Sequence, residues 1–302
     1  MLHIITLLCL LLSLYQSGVP VTSDPRFLQQ VYLEVQAHGV QAATERLHSD
    51  LPGFLSEAGI ENTAEPEIDI EKLDYEEELK KLGFYKDETT DSKLNLRNAV
   101  LRFQSSCNLK ADGKWNDQCL EILVKQLVTG TIGCEDQIES PPTEGKWITI
   151  NKTKRILTLY ENKKVLQKYP VAVGNPPSLT PHGKFTVVSK VVNPAWGGGG
   201  YAKPVKGGIP QNPLGYRWMG LSYKDGGTLG IHGNNSPYSI GTNVSHGCIR
   251  MINSDVEQLF TVVPESAPVW IGTKEKLKEW GIEQPEYSLH AEAGPDEGTF
   301  LN

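Results

Sequence analysis

The chain of 302 residues carries 5 cysteines, yet none of them forms a C-x-x-C pair, and no Gly-Lys-Ser/Thr follows its glycine run at 197–200. The first absence argues against a structural zinc site, and the second against a phosphate-binding loop. The apolar run 4–15 falls short of the ~20 residues that a membrane-spanning helix needs. Residues 1–23 also lack any charged side chain, so no Lys or Arg precedes that run. Its length suits the core of a signal peptide, and the small polar stretch 16–23 suits a cleavage site. We therefore expect a signal peptide over 1–23 and an exported chain whose membrane contact is limited to that segment. Hydrophobic residues make up only 39% of the sequence, which leaves room for solvated segments. In an oxidising compartment Cys107, Cys119 and Cys134 could pair, but three thiols leave one over, and no pairing is predicted.

What is present is unevenly distributed. Residues 146–274 hold 15 Lys and Arg against 5 Asp and Glu, while 24–145 hold 12 against 24 and 275–302 hold 2 against 7. The patterning changes at the same borders. Residues 24–67 read as a helical or loosely ordered prologue, with Phe27, Val31 and Val35 at helical spacing and Pro and Gly breaking the remainder. Residues 68–128 read as a small all-α module of three helices, 129–145 as a Gly-, Pro- and acid-rich linker, and 275–302 as an acidic tail. From Lys146 the periodicity becomes that of strands: 147–150 and 155–160 flank a turn as a hairpin, and 164–173 adds a third strand. Short strands with Gly and Pro turns predict a mostly β domain, sandwich- or barrel-like, over 146–274. The chain is thus multidomain, with the α module ahead of the β domain.

Chemistry concentrates in 230–253, where His232, His246 and Cys248 lie within seventeen positions. A cysteine becomes a nucleophile as its thiolate, which requires a nearby base because a free thiol near pKa ~8.5 is mostly protonated at neutral pH. Two bases are available. His246 shares a face with Cys248 if 245–251 is extended. His232 follows the apolar Leu229-Gly230-Ile231 and would come from a neighbouring strand. Gly233, Gly241 and Gly247 allow tight turns or close backbone approach, and the N–H groups of Gly247 and Cys248 are candidates to face a developing oxyanion. Zinc on His232, His246, Cys248 and His182 is chemically acceptable, but without the paired spacing no metal and no cofactor are expected.

His232-Gly233 followed by Ser245-His246-Gly247-Cys248-Ile249-Arg250-Met251 resembles the signature of the YkuD-type L,D-transpeptidases. The Thr180-Pro181, Phe185 and 212–221 elements resemble the same family, so the likeness covers about 146–272. Likewise KKLGFY, NAVLRFQ and LKADGKW resemble the peptidoglycan-binding domain 1 family. The resemblance implies Cys248 as nucleophile, His232 as proton acceptor and donor, and Ser245, His246, Gly247, Gly233 and Arg250 in support. The family usually has Asn where this chain has Arg250. It also implies a peptidoglycan stem peptide as substrate and anionic cell-wall polymer, rather than nucleic acid, as partner of the basic domain. With an amine acceptor the enzyme is a transpeptidase, and with water an L,D-carboxypeptidase. A wall-binding protein with an idle site is the remaining alternative.

Overall fold

The computed structural model describes residues 25–50, 53–54, 57, 73–129, 135–200, 202–223 and 228–285. The expected signal segment, Cys134, Tyr201 and the tail from 286 lie outside them. Helices α1 (Pro25–Ser49), α2 (Tyr75–Lys81), α3 (Ser92–Ser106) and α4 (Asp117–Thr129) precede the strands β1 (Gln137–Ile138), β2 (Lys146–Asn151), β3 (Ile156–Glu161), β4 (Lys164–Gly174), β5 (Gly183–Val192), β6 (Arg217–Leu221), β7 (Gly230–His232), β8 (Asn243–Ser245) and β9 (Ile249–Met251). Helix α5 (Asn253–Val262), β10 (Pro268–Gly272), α6 (Lys274–Glu279) and β11 (Ile282–Glu283) complete the order. Among these described helices none is long and apolar enough to cross a membrane.

Two compact units divide these elements. One gathers the described residues up to Asp74 with 117–129, and the other takes 75–116 and 135–285. In the first, α1 buries Phe27, Val31 and Val35, the helically spaced set of the sequence. Phe27 meets Phe54 edge-on at 5.7 Å, and Arg46 holds Glu34 at 2.7 Å. The border between the units falls at Asn116/Asp117, inside the 68–128 segment.

The second unit is built on a sheet ordered β3-β2-β10-β5-β6-β7-β9-β4-β8, and an additional β3–β4 pairing closes it into a barrel. Closure removes the exposed edges that an open sheet of this length would carry. The β2–β3 hairpin has Ile148 opposite Leu159 and Ile150 opposite Leu157. These four join Val171, Val173, Met219, Ile231, Ile249, Met251 and Ile271 in one buried core. Each such side chain contributes about 1.5–3 kcal/mol on burial. The alternate positions Trp147 and Tyr160 point the other way and stack at 4.4 Å, packed with Trp270, Leu277 and Ile282.

Helix α3 lies against this barrel because Leu101 and Ala111 form a second buried cluster with Ile156, Ala172, Ile240 and Ile252. Asp91 caps α3 by accepting from the Leu94 N–H at 3.1 Å. The Gln104 side-chain oxygen Oε1 accepts from the Asp112 and Gly113 N–H groups at 3.0 and 2.8 Å. That is why Phe103-Gln104 and the Asp112-Gly113 turn occur together, with Gly113 at φ +73. Arg102 of α3 reaches Asp255 of α5 at 2.9 Å and Glu88 at 2.7 Å. The stretch expected as linker carries β1, which pairs with β11, and supplies Asp136. That carboxylate is buried, accepts from Lys168 at 2.7 Å and from the Tyr160 hydroxyl at 2.5 Å, and is reached by Asn108 at 2.8 Å. The start of the expected tail is likewise ordered as α6 and β11, with Gln284 buried beside Tyr160.

Candidate active site

Strands β7 and β9 run parallel, with Ile231 opposite Ile249 and His232 opposite Arg250. Ile231 and Ile249 belong to the barrel core. By strand alternation His232 and Arg250 therefore face the opposite side. Antiparallel β6 places Trp218 opposite His232. Cys248 directly precedes β9, two positions before Arg250, the partner of His232, so the sixteen-residue-distant histidine of the sequence is brought to the neighbouring strand.

His232 is 4% exposed. Its Nδ1 lies 2.7 Å from the Gly233 carbonyl oxygen. A carbonyl only accepts, so Nδ1 carries the proton and Nε2 offers its lone pair. Burial drives the His232 pKa down to about 4, the Gly233 hydrogen bond opposes this, and the Arg250 charge adds to it. Cys248 is half-buried, and burial raises its thiol pKa, with the Gly230 N–H and Arg250 pulling the other way. Its Sγ–H points to the Thr228 carbonyl at 3.6 Å. At neutral pH the resting pair is therefore thiol and imidazole, both uncharged.

The loop before Cys248 is held from several sides. Ser245 Oγ donates to the Cys248 carbonyl at 2.5 Å and accepts from the Gly247 N–H at 3.1 Å. That donation commits the Gly247 N–H and leaves the N–H of Cys248 as the oxyanion candidate of the two. Thr180 Oγ1 donates to the Gly247 carbonyl at 2.8 Å and accepts from the Gly174 N–H at 2.8 Å. Lys152, its pKa lowered by burial to about 8, donates to the Pro177 and Thr180 carbonyls at 3.0 and 2.6 Å. Gly247 has φ +132, and a Cβ there would stand 2.8 Å from the Leu179 carbonyl. A Cβ on Gly233 would press to 2.2 Å on Asn253 Oδ1. That Asn253 oxygen accepts from the Asn234 N–H at 2.9 Å, fixing the chain just past His232.

The sequence-predicted residues do not all converge. Residues 246–247 form a bend between β8 and β9, so the premise of an extended 245–251 fails and the shared-face argument for His246 does not apply. His246 is exposed. His182 is also exposed, and among the described residues no three His, Cys, Asp or Glu side chains gather to hold a metal ion. Lys152, Thr180 and Trp218 were not marked as site residues by sequence. Thr180 and Trp218 sit in family-like elements, but only the fold reveals what they touch. Lys152 lies in the turn after β2 and carries no sequence signal.

The chain resembles known proteins over both parts of its sequence. Residues 145–271 match the family model described as "L,D-transpeptidase catalytic domain", and 73–123 match the "Putative peptidoglycan binding domain". The chain is 41% identical over 135 residues to "Putative L,D-transpeptidase YqjB" of Bacillus subtilis, covering 44% of this chain and 74% of that one. It is 39% identical to "Putative L,D-transpeptidase YkuD" of Bacillus licheniformis, covering 44% and 70%. The crystal structure of an L,D-transpeptidase from Xylanimonas cellulosilytica is 22% identical, covers 66% of this chain and 91% of that one, and superposes with a TM-score of 0.43, too loosely to argue from. The family model over 145–271 and relatives at 41% and 39% identity define the class. The chain belongs to the L,D-transpeptidase family.

Proposed function

We propose that the protein is an exported, cysteine-dependent peptidoglycan L,D-transpeptidase. The single observation that supports this most is the β7–β9 register, which pairs His232 with Arg250, two positions past Cys248, while the Gly233 carbonyl leaves Nε2 unprotonated. In the first step Cys248 Sγ attacks the carbonyl that joins the third stem residue to its terminal D-amino acid, and the thiol proton passes to Nε2. The oxyanion of the tetrahedral intermediate takes the Cys248 N–H. On collapse the C–N bond breaks, the leaving amine takes the proton from Nε2, and a thioester remains. In the second step an amine of another stem attacks the thioester, its proton moves to Nε2 and then to the departing sulfur, and a new amide forms. Proton transfer of this kind contributes about 10²- to 10⁴-fold.

The positive excess on 146–274 supports an anionic polymer as the surface partner, and the match over 73–123 supports peptidoglycan as what the helices bind. Arg250 is assigned to the developing negative charge, since its field already acts on both His232 and Cys248. Incubation with a tetrapeptide stem, with and without an added acceptor amine, tests the reading. Crosslinked product from the wild type and none from Cys248→Ala is expected. Release of the terminal D-amino acid alone, unaffected by acceptor, would make the enzyme a carboxypeptidase, and turnover by Cys248→Ala would sink both.

A further inference from the structure

One side chain beside the pair has no role in the scheme above. Trp218 is the Cα partner of His232 across β6 and β7, and its ring stacks on the imidazole with centroids 5.7 Å apart and planes 24° apart. The backbone has been cleared for that indole. A Cβ on Gly230 would stand 2.5–2.8 Å from three atoms of the six-membered ring, and a Cβ on Gly220 3.0 Å from the indole nitrogen. Gly230 is also the residue whose N–H reaches the Cys248 sulfur. The indole therefore lies across the two glycines and borders the imidazole.

We infer that Trp218 is a positioning residue for His232: its indole holds the imidazole in the plane from which Nε2 meets the Cys248 thiol, and stacks on the imidazolium that proton transfer creates. The inference rests on the proposed acyl-transfer reading for its catalytic half. Two contacts fix the ring. The Gly233 carbonyl holds Nδ1 at its edge, and Trp218 covers a face, so rotation about the Cβ–Cγ bond has to break both. A tryptophan face also attracts a cation more than it attracts neutral imidazole. The stack thus strengthens as the imidazole gains its proton, and an interaction that strengthens toward the transition state raises kcat rather than lowering KM.

The charged and titratable groups around His232 leave this task to an uncharged ring. From β9, Arg250 is its Cα partner, and Cys248 stands just ahead of that strand. From β6, Arg217 precedes Trp218 and so points to the other side, where its Nη1 lies 3.8 Å from Glu257 of α5. Also on α5, Asp255 is taken up by Arg102. No carboxylate from these elements pairs with the imidazole, so the indole is the neighbour suited to meet its positive charge.

The test uses the full chain with Trp218→Phe and Trp218→Leu, and first needs no substrate. NMR titration of the His232 ring and the pH profile of iodoacetamide alkylation at Cys248 are compared with wild type. In Trp218→Leu the ring keeps an apolar cover but loses the indole face that attracts its cation, so the His232 midpoint should move further down, by up to ~1 pH unit. In Trp218→Phe it should stay near wild type. On stem peptide, Trp218→Leu should lose about 10-fold in kcat with KM little changed, and Phe should restore most of it. An unmoved His232 midpoint in Trp218→Leu, or equal behaviour of Leu and Phe, overturns the inference. Should the Leu variant lose its fold by circular dichroism, Gly230→Ala displaces the indole without deleting it, and the same fall of the midpoint is required. If the wild type itself never acylates, the acyl-transfer reading fails on its own, while the titration still decides the role of Trp218.

Discussion

At the scale of residues, the chemistry depends on two groups that both rest uncharged. Burial lowers the His232 pKa to about 4 and raises that of Cys248, so in the proposed scheme the thiol gives up its proton as it attacks. The acid limb of kcat/KM should consequently fall near pH 4, where free-enzyme His232 loses its proton, and not near the usual 6.5. A limb near 6.5, which disappears in no His232 variant, would contradict that assignment. The same burial affects stability with a definite sign. Between about pH 4 and 6.5 the unfolded chain binds a proton at His232 that the folded chain does not, so stability falls as pH falls through that window, by on the order of 3 kcal/mol. Denaturant midpoints of wild type and His232→Gln at pH 7 and pH 4.5 measure it, the variant being expected to lose less on acidification.

At the scale of elements, the site is made by strand pairing and by one loop. The parallel register of β7 and β9 is fixed by Ile231 and Ile249, which must enter the core; a slip of one residue would turn His232 inward. The loop 177–180 buttresses the bend before Cys248 through Thr180 Oγ1 and the Gly247 carbonyl. Thr180→Val keeps the shape but removes the donor and leaves two buried backbone groups short of a partner, at about 1–3 kcal/mol. We expect Thr180→Val to slow Cys248 acylation by at least about 10-fold while Thr180→Ser stays close to wild type. Equal acylation rates for Val and Ser would show that the loop is not needed to place the cysteine. The distinction could not come from sequence, where Thr180-Pro181 reads only as a turn feeding β5.

At the scale of the whole molecule, the barrel, the hairpin at its start and the helices of 75–106 were legible because alternation of apolar residues and the Phe103-Gln104 and Asp112-Gly113 signals are local. Cys248 and His232 were legible as a spaced pair. What escaped was tertiary. Asp136 sits among acidic, Gly- and Pro-rich residues that read as solvated linker, yet Lys168, Tyr160 and Asn108 make it a buried anchor. His246, assigned a supporting role, stands in the bend at 246–247 and not in an extended strand with Cys248. Arg102, which the sequence offers only as part of NAVLRFQ, is bound by Asp255 and Glu88 and is 7% exposed. Removing one partner of a buried ion pair typically costs about 3–5 kcal/mol, so Arg102→Ala should lower the urea midpoint of the 75–285 unit by a corresponding amount, and a loss under about 1 kcal/mol would show that the pair is dispensable.

The central claim, that Cys248 carries the acyl group, is tested most directly by intact-protein mass spectrometry after brief incubation with a stem tetrapeptide and acid quench. The account predicts a mass gain equal to the donor acyl fragment, mapped by digestion to the peptide holding Cys248, reversed by hydroxylamine and missing from Cys248→Ala. Product formation with no adduct on Cys248, or an adduct that persists in Cys248→Ala, would contradict it.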